Sequence, residues 1–125
     1  MKAYRFYTYD VWCEYVPGEG KHYQVNDVYS SDLVVLLDVE KCKTDAELSR
    51  EIRNALNPKS RMRYHLEGES DYTLYVERER DWYPLFELRV MSDEEVDEIL
   101  GGNYKNWNVC MSKETSKKIV RRAKA

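Results

Sequence analysis

The sequence has little of the chemistry from which metal sites and disulfide frameworks are built. Its 125 residues contain two histidines, His22 and His65, in separate segments, and no His-x-x-x-His or Cys-x-x-Cys spacing. The three cysteines, Cys13, Cys42 and Cys110, are odd in number and far apart. They therefore predict reduced, partly buried thiols and no disulfide scaffold. We expect no metal ion and no other cofactor.

Long hydrophobic runs are also missing. The longest aliphatic run covers residues 33–37, whereas a membrane-spanning helix needs about 20 apolar residues. The first six residues lack the apolar stretch of a secretory signal peptide. These absences predict a cytoplasmic protein that has no membrane partner.

Aromatic residues and charge are what the chain has in abundance. Charged residues make up 34% of the sequence, above the roughly 25% that is usual for globular domains, so the surface must be densely charged. The 11 Tyr, 3 Trp and 2 Phe can build a core from a short chain, because each ring buries a large area. The length fits one domain, residues 1–125.

The charge is distributed unevenly along the chain. The overall formal charge is −3, but residues 112–125 carry a net +5 and the preceding 111 residues a net −8. An acidic body followed by a basic tail is a hint about binding partners and says nothing about the fold.

The first third of the chain is rich in aromatic and β-branched residues, which favour strands. Residues 4–16, 23–29 and 33–39 predict three strands, with a turn at residues 17–20 and a break at residues 30–32. Residues 4–16 carry apolar side chains on both alternate faces. This pattern predicts a strand covered on both faces, with Trp12 in the core.

Capping boxes predict the starts of two helices. In a capping box, a hydroxyl and a carboxylate satisfy exposed backbone N–H groups reciprocally. Thr44 and Glu47 open the first helix, whose apolar stripe predicts a helix ending at Asn57, before Pro58. Ser92 and Glu95 open the second, which covers residues 93–100.

The remaining segments complete the predicted order. Residues 62–66, 72–79 and 83–91 indicate a strand meander with turns at residues 68–71 and 80–82. Residues 104–111 are a strand or an irregular segment. Residues 113–122 predict a basic helix. Because its apolar stripe is thin, we expect the helix to fray or to order only on a partner.

Together these elements predict an α+β fold in the order β-β-β-α-β-β-β-α-(β)-α. We expect an antiparallel sheet of five to six strands with two to three helices on one face. Residues 1–91 would form a sheet body with one helix, and residues 92–125 a helical extension, acidic and then basic.

Several motifs resemble a set of small proteins encoded by phages and prophages of gut Firmicutes. Those proteins typically carry D-V-W-G-N, E-V-N-D-V-Y, Y-T-L-Y and E-L-x-R-V in this order. The resemblance covers about residues 8–91 and rests on four segments, which read YDVW at 9–12, YQVNDVY at 23–29, DYTLY at 71–75 and PLFEL at 84–88. Cys13-Glu14 replaces the usual G-N, Gln24 replaces Glu, and residues 92–125 are an extension that such proteins generally lack. The resemblance implies a phage-associated origin, in the cytoplasm of a bacterial host, and no settled activity.

The sequence favours a non-enzymatic binding protein. Tyr and Trp are preferred anchors of protein interfaces, and ordered carboxylates can mimic the phosphates that a nucleic-acid-binding protein recognises. We therefore expect a phage accessory protein that binds and inhibits a host protein, such as a CRISPR-type defence effector, through an acidic, Tyr-rich surface. The residues chosen for this surface are Trp12, Asn26, Asp27, Tyr29, Glu77, Glu79, Asp81 and Trp82.

Each of these residues also has a structural interpretation. Asn26 and Asp27 are poor strand formers within a strand-like run, which predicts a bulge whose side chains bond the backbone, or else a polar pocket beside Trp12 or Tyr29. The alternating carboxylates at residues 77, 79 and 81 are typical of the solvated face of a sheet.

Two other functions remain open. The basic tail could bind nucleic acid through a cluster of cations, or could be a solvated helix whose cations suit its own dipole. The cations of this cluster are Lys117, Lys118, Arg121, Arg122 and Lys124. The third possibility is a small metal-dependent hydrolase or nuclease that uses carboxylates, although no catalytic signature marks such a site.

Overall fold

The computed structural model describes residues 1–59, 64–78, 81–102 and 107–124, with the last helix described by its backbone alone after Ile119. Six strands form one sheet in the order β3-β4-β5-β1-β2-β6. The strands are β1 Lys2–Val16, β2 Gly20–Leu37, β3 His65–Glu67, β4 Tyr72–Arg78, β5 Asp81–Val90 and β6 Asn108–Cys110. The helices are α1 Asp45–Leu56, α2 Asp93–Leu100 and α3 Lys113–Lys124, with a short 3-10 turn at Val39–Lys41.

The α+β class is confirmed, and the order of elements matches roughly, because two strands precede α1 where three were expected. The four pairings among β1, β2, β3, β4 and β5 are antiparallel, but β6 pairs in parallel with Leu33–Val35 of β2. The sheet is therefore mixed, whereas a purely antiparallel sheet was expected. The chain reaches β6 from β5 through the crossover helix α2, and such a crossover permits a parallel neighbour.

The prediction that the helices cover one face of the sheet is wrong. Neighbouring residues of β2 enter two separate cores, because successive side chains of a strand point to opposite faces. Val35 and Leu37 pack with α1 residues such as Ile52, whereas Val34 and Leu36 pack with Val96 and Ile99 of α2. The run 33–37 is aliphatic throughout because both of its faces are covered.

The predicted break at residues 30–32 is also wrong, since β2 continues through it to Leu37. The register with β1 shifts there, so that two extra residues of β2 lie between the pairs Arg5–Val34 and Tyr7–Ser30. Ser31 fills this bulge: its hydroxyl donates to the carbonyl of Phe6 at 3.0 Å and accepts the Leu33 N–H at 3.2 Å. Polar residues that resemble a break thus satisfy the backbone of a bulged strand.

The helix boundaries are confirmed at their N-termini. Thr44 caps α1 by accepting the Glu47 N–H at 3.2 Å. Ser92 and Glu95 form a complete capping box at α2, with the Ser92 hydroxyl on the Glu95 N–H and the Glu95 carboxylate on the Ser92 N–H. These ends are set by contacts three residues apart, which is why the sequence predicts them.

The start of α3 is held by a buried polar cluster and not only by its thin apolar stripe. Glu51 of α1 is 3% exposed and accepts the hydroxyls of Ser112 at 3.1 Å and Thr115 at 3.2 Å with one oxygen. Its other oxygen lies 2.7 Å from the ammonium of Lys41, which also pairs with Glu114 at 3.0 Å. We call these five residues the Glu51 cluster. The first turn of α3 is thus docked without a partner, contrary to the expected fraying.

Two predicted turns have different outcomes. The turn at residues 68–71 is confirmed, and Gly68 is required there because a Cβ would collide with the carbonyl of Asp71 at a φ of +123°. The predicted turn at residues 80–82 is wrong in part, since Asp81 and Trp82 belong to β5. The predicted start of β3 at residue 62 lies outside the described residues. Among the described helices, none is both long and apolar enough to cross a bilayer.

Candidate protein-binding surface

The β1–β2 hairpin extends beyond the sheet that the helices cover. β1 pairs with β5 only from Tyr4 to Thr8, while its pairing with β2 continues to Val16 and Gly20 at the turn. We call residues 8–29 the arm. Four of the six large apolar side chains that are exposed in the described residues lie on the arm, namely Trp12, Tyr15, Val25 and Tyr29.

The position of Trp12 contradicts its predicted place in the core. Its side chain is 53% exposed, and Cys13 and Tyr15 beside it are exposed as well. The physical reason is that β5 stops pairing with β1 after Thr8, and Trp12 belongs to neither helix-covered core. The expectation that β1 is covered on both faces therefore holds only for its first half.

One side of the arm brings together the residues that the motifs singled out. Directly opposite residues of an antiparallel pair share a face, and the register pairs Thr8 with Tyr29 and Asp10 with Asp27. Trp12 follows Asp10 by two positions and lies on the same side. We call the surface formed by Asp10, Trp12, Asn26, Asp27 and Tyr29 the arm face. All five residues are exposed.

The bulge predicted at Asn26 and Asp27 is confirmed. The register shifts by one residue between the pairs Asp10–Asp27 and Val11–Val25, which leaves Asn26 as the extra residue of β2. The Asn26 amide donates to Asp10 Oδ2 at 3.1 Å, and Asp27 Oδ1 accepts the Val28 N–H at 2.8 Å. Each carboxylate is thus oriented by one hydrogen bond on a residue that is exposed. The bulge fixes the two carboxylates between Trp12 and Tyr29.

The second group of predicted binding residues lies on the β4–β5 hairpin. Glu77 is directly opposite Trp82, which is 47% exposed and stacks on the His65 ring at 5.1 Å between centroids. Asp81 begins β5 and accepts the N–H of Trp82 at 2.8 Å. Glu79 lies outside the described residues. These residues share a hairpin with one another but are not part of the arm face.

The two hairpins meet near their ends. The rings of Tyr23 and Tyr83 are edge to face with centroids 5.0 Å apart. His22 Nδ1 lies 3.9 Å from Asp81 Oδ2, and His22 Nε2 lies 3.3 Å from a Glu19 oxygen. The contacts of Tyr23 with Tyr83 and of His22 with Asp81 join the arm to the β4–β5 hairpin. They support the arm near its end.

The cations of the candidate nucleic-acid site have different environments in the structure. Lys117 is exposed on α3, but Lys118 forms an ion pair with the buried carboxylate of Asp38. The side chains of Arg121, Arg122 and Lys124 lie outside the description. At least one of the five predicted cations is therefore engaged within the fold.

No metal centre is formed by the described residues, where no three His, Cys, Asp or Glu side chains converge in a way that could hold an ion. The three cysteines are free thiols; Cys13 is exposed, in contrast to the partly buried thiol expected, while Cys42 and Cys110 are half-buried. Burial raises the pKa of the Cys42 and Cys110 thiols. They are thus poor thiolate nucleophiles.

Asp10 is the member of the arm face that was not selected from the sequence, although it belongs to the D-V-W motif. Its contribution depends on facing Asp27 across the hairpin, and this pairing requires the register, which the bulge sets. Tyr15, 71% exposed on the other side of the arm, was also missed because its strand pattern resembles that of a buried strand.

No protein-family model, no curated protein and no solved structure matches this chain.

Proposed function

We propose that the chain is a protein-binding module, without a catalytic role, that docks a basic surface of a partner protein on the arm face. The observation that carries the proposal is the placement of two oriented carboxylates, Asp10 and Asp27, between the exposed rings of Trp12 and Tyr29. A guanidinium or ammonium group can pair with the carboxylates while it stacks on a ring.

An interface on the arm face would gain energy from its exposed rings. Burial of a Trp ring against a partner contributes about 2 kcal/mol or more at an interface hot spot. The net charge of −8 on residues 1–111 would attract a basic partner and raise the rate of encounter.

The finer part of the proposal concerns the identity of the partner. The resemblance to phage and prophage proteins supports a host protein that normally binds nucleic acid, such as a CRISPR-type defence effector, which this chain would inhibit by occupying its basic surface. The oriented carboxylates would then take the places of phosphates.

The test is capture of a partner from a bacterial lysate by the tagged protein and by two variants. We expect Trp12→Ala combined with Asp27→Asn to lose at least 90% of the partner, because a loss of about two to three kcal/mol weakens binding about 30- to 150-fold. Tyr15→Ala is the matched control, because it removes an exposed ring from the opposite side of the arm. Capture should also weaken in about 0.5 M salt, where screening shortens the range of charge attraction.

Two results would reject the arm face as the binding surface. One is equal capture by the wild-type chain and the Trp12/Asp27 variant. The other is a larger loss with Tyr15→Ala than with that variant. If the partner then requires the β4–β5 hairpin, a Glu77→Gln and Trp82→Ala variant would show it directly.

Nucleic-acid binding through α3 is the alternative proposal, and Lys117 is the exposed cation that supports it. A chain that ends at Met111 is a poor test, because it would remove the buried residues Ser112 and Thr115 and disrupt the fold. Lys117→Glu combined with Arg121→Glu preserves the Glu51 cluster. A gel shift that is unchanged by this variant would reject the alternative.

A further inference from the structure

A groove of about 490 Å³ runs between α1 and the segment that enters β3. One wall is formed by Ala46, Ser49, Arg50 and Arg53, and the other by Tyr64 and His65. This groove is separate from the arm face, which shares no residue with it. Its volume falls within the range of small-molecule sites.

The helix wall follows from the spacing of its residues. Positions 46, 49, 50 and 53 are separated by three and four residues, so they form one stripe along α1. The core-facing stripe of the same helix consists of Leu48, Ile52 and Ala55. Two arginines are thus held side by side on a helix whose other face is fixed in the core.

The charge of the groove is not balanced within it. Neither Arg50 nor Arg53 forms an ion pair with the described residues, and Asp45 is the one carboxylate on the described walls. Asp45 lies in the first turn of α1, where the helix dipole favours it, about 12 Å along the axis from Arg53. The end of the groove at Arg53 is therefore positive.

Arg53 also carries an unsatisfied group. Its Nε is buried and has no hydrogen-bond partner, although buried donors of folded proteins are almost always paired with protein, water or a ligand. The neighbouring hydroxyl of Ser49 donates to the carbonyl of Tyr64 at 3.3 Å. The guanidinium of Arg53 thus has a donor that no described residue satisfies.

We propose that this groove binds a small organic phosphate monoester, with the phosphate on Arg50 and Arg53 and the organic part against Tyr64. Two guanidinium groups match a dianionic phosphate, because each can donate two parallel hydrogen bonds to its oxygens. The ring of Tyr64 is packed edge to face on Phe86 at 5.9 Å and is partly buried. It offers a rigid aromatic surface beside the two cations.

The experiment is an NMR titration of the full chain with phenyl phosphate, inorganic phosphate and benzoate. We expect phenyl phosphate to bind with a dissociation constant on the order of 1 mM or tighter and to shift the signals of Arg50, Arg53 and Tyr64. Benzoate, with one negative charge, should bind at least several-fold more weakly. Inorganic phosphate should also be weaker, because it cannot contact Tyr64.

Variants assign the binding to the groove. Arg53→Met and, separately, the exposed Arg50→Gln should each weaken phenyl phosphate at least tenfold. Arg78→Gln, which removes an arginine stacked on Tyr83 outside the groove, is the matched control and should not change binding. Trp12→Ala should not change it either, which separates a failure of this site from a failure of the arm face.

Three results would overturn the proposal. The first is no saturable binding of phenyl phosphate by the wild-type chain. The second is unchanged binding in Arg50→Gln, which leaves the buried part of the helix intact and so should fold. The third is inorganic phosphate that binds as tightly as phenyl phosphate, because Tyr64 would then contribute nothing.

Discussion

Replacement of Glu51 by alanine tests whether the Glu51 cluster holds α3 to the rest of the fold. The substitution removes the acceptor of the Ser112 and Thr115 hydroxyls and one partner of the Lys41 ammonium. Three hydrogen bonds at about 1 kcal/mol each give a loss of roughly 3 kcal/mol. Removal of one partner of a buried ion pair costs about 3–5 kcal/mol. Lys41 is 32% exposed and can turn toward water, so the lower end applies.

The assay is reversible urea unfolding, together with amide hydrogen exchange of α3. We expect the free energy of unfolding to fall by about 3 kcal/mol and the melting temperature by about 10 °C. The amides of α3 should exchange faster than those of α2. Glu98→Ala, an exposed carboxylate on α2, is the control and should stay within about 0.5 kcal/mol of the wild type.

A second substitution makes the physical cause explicit. Burial by itself would lower the pKa of Lys41, but the hydrogen bonds to Glu51 and Glu114 raise it above its ordinary value. In Glu51→Ala the ammonium has lost its bond to Glu51, so Lys41→Met should cost less stability in this background than in the wild type. The cluster does not anchor α3 if the free energy of unfolding of Glu51→Ala equals that of Glu98→Ala. The same conclusion follows if Lys41→Met lowers the stability of Glu51→Ala by as much as it lowers that of the wild type.

Three further predictions concern the arm, the tyrosines and α2. Deletion of Asn26 should remove the bulge and make Asp10–Asp27 and Val11–Val25 consecutive pairs of a regular ladder, which two-dimensional NMR contacts across the hairpin would detect; loss of the Val11–Val25 pair would contradict this. Burial, followed by the effects of its neighbours, raises the pKa of Tyr9 to about 12, so its neutral form is favoured in the fold. Stability should therefore fall as the pH rises from about 10 to 12, and it should fall less steeply in Tyr9→Phe; an equal fall in both proteins would contradict this. Ser92→Ala should cost about 1 kcal/mol in thermal unfolding, because the N-cap of α2 is lost, and a cost near zero would contradict the role of its capping box.

The sequence predicts those features that depend on neighbours a few residues apart. The N-termini of α1 and α2 are marked by Thr44 and Ser92 because a cap is a contact over three residues. The turn at residues 68–71 is marked in the same way. The α+β class follows from the order of such elements and needs no knowledge of long-range contacts.

The features that the sequence does not predict depend on where distant strands separate. Trp12 and Tyr4 lie on the same strand with similar aromatic neighbours, yet Tyr4 is 3% exposed and Trp12 is 53% exposed. β5 pairs with β1 at Tyr4 but not at Trp12, and no local sequence pattern shows where this pairing ends. The Glu51 cluster is hidden for the same reason, since Glu51 and Thr115 are 64 residues apart along the chain.

The arm face was half predictable. The D-V-W and N-D-V-Y motifs pointed to Trp12, Asn26, Asp27 and Tyr29, and a bulge at Asn26 was expected from strand propensity. Their convergence on one side could not be derived, because a strand register must be known to within one residue before faces can be matched.

The two bulges of β2 also have a consequence for how the chain finds its alignment during folding. In the aliphatic run 33–37 both faces are buried, so a slip by one residue would still place apolar side chains in each core. Hydrophobicity therefore barely distinguishes the native alignment from its neighbours. Ser31 on the Phe6 carbonyl and Asn26 on Asp10 do distinguish it, because each bond forms in one alignment alone. These two hydrogen bonds favour the native alignment over misaligned hairpins. The bulges that align β1 with β2 therefore also determine which side chains the arm presents.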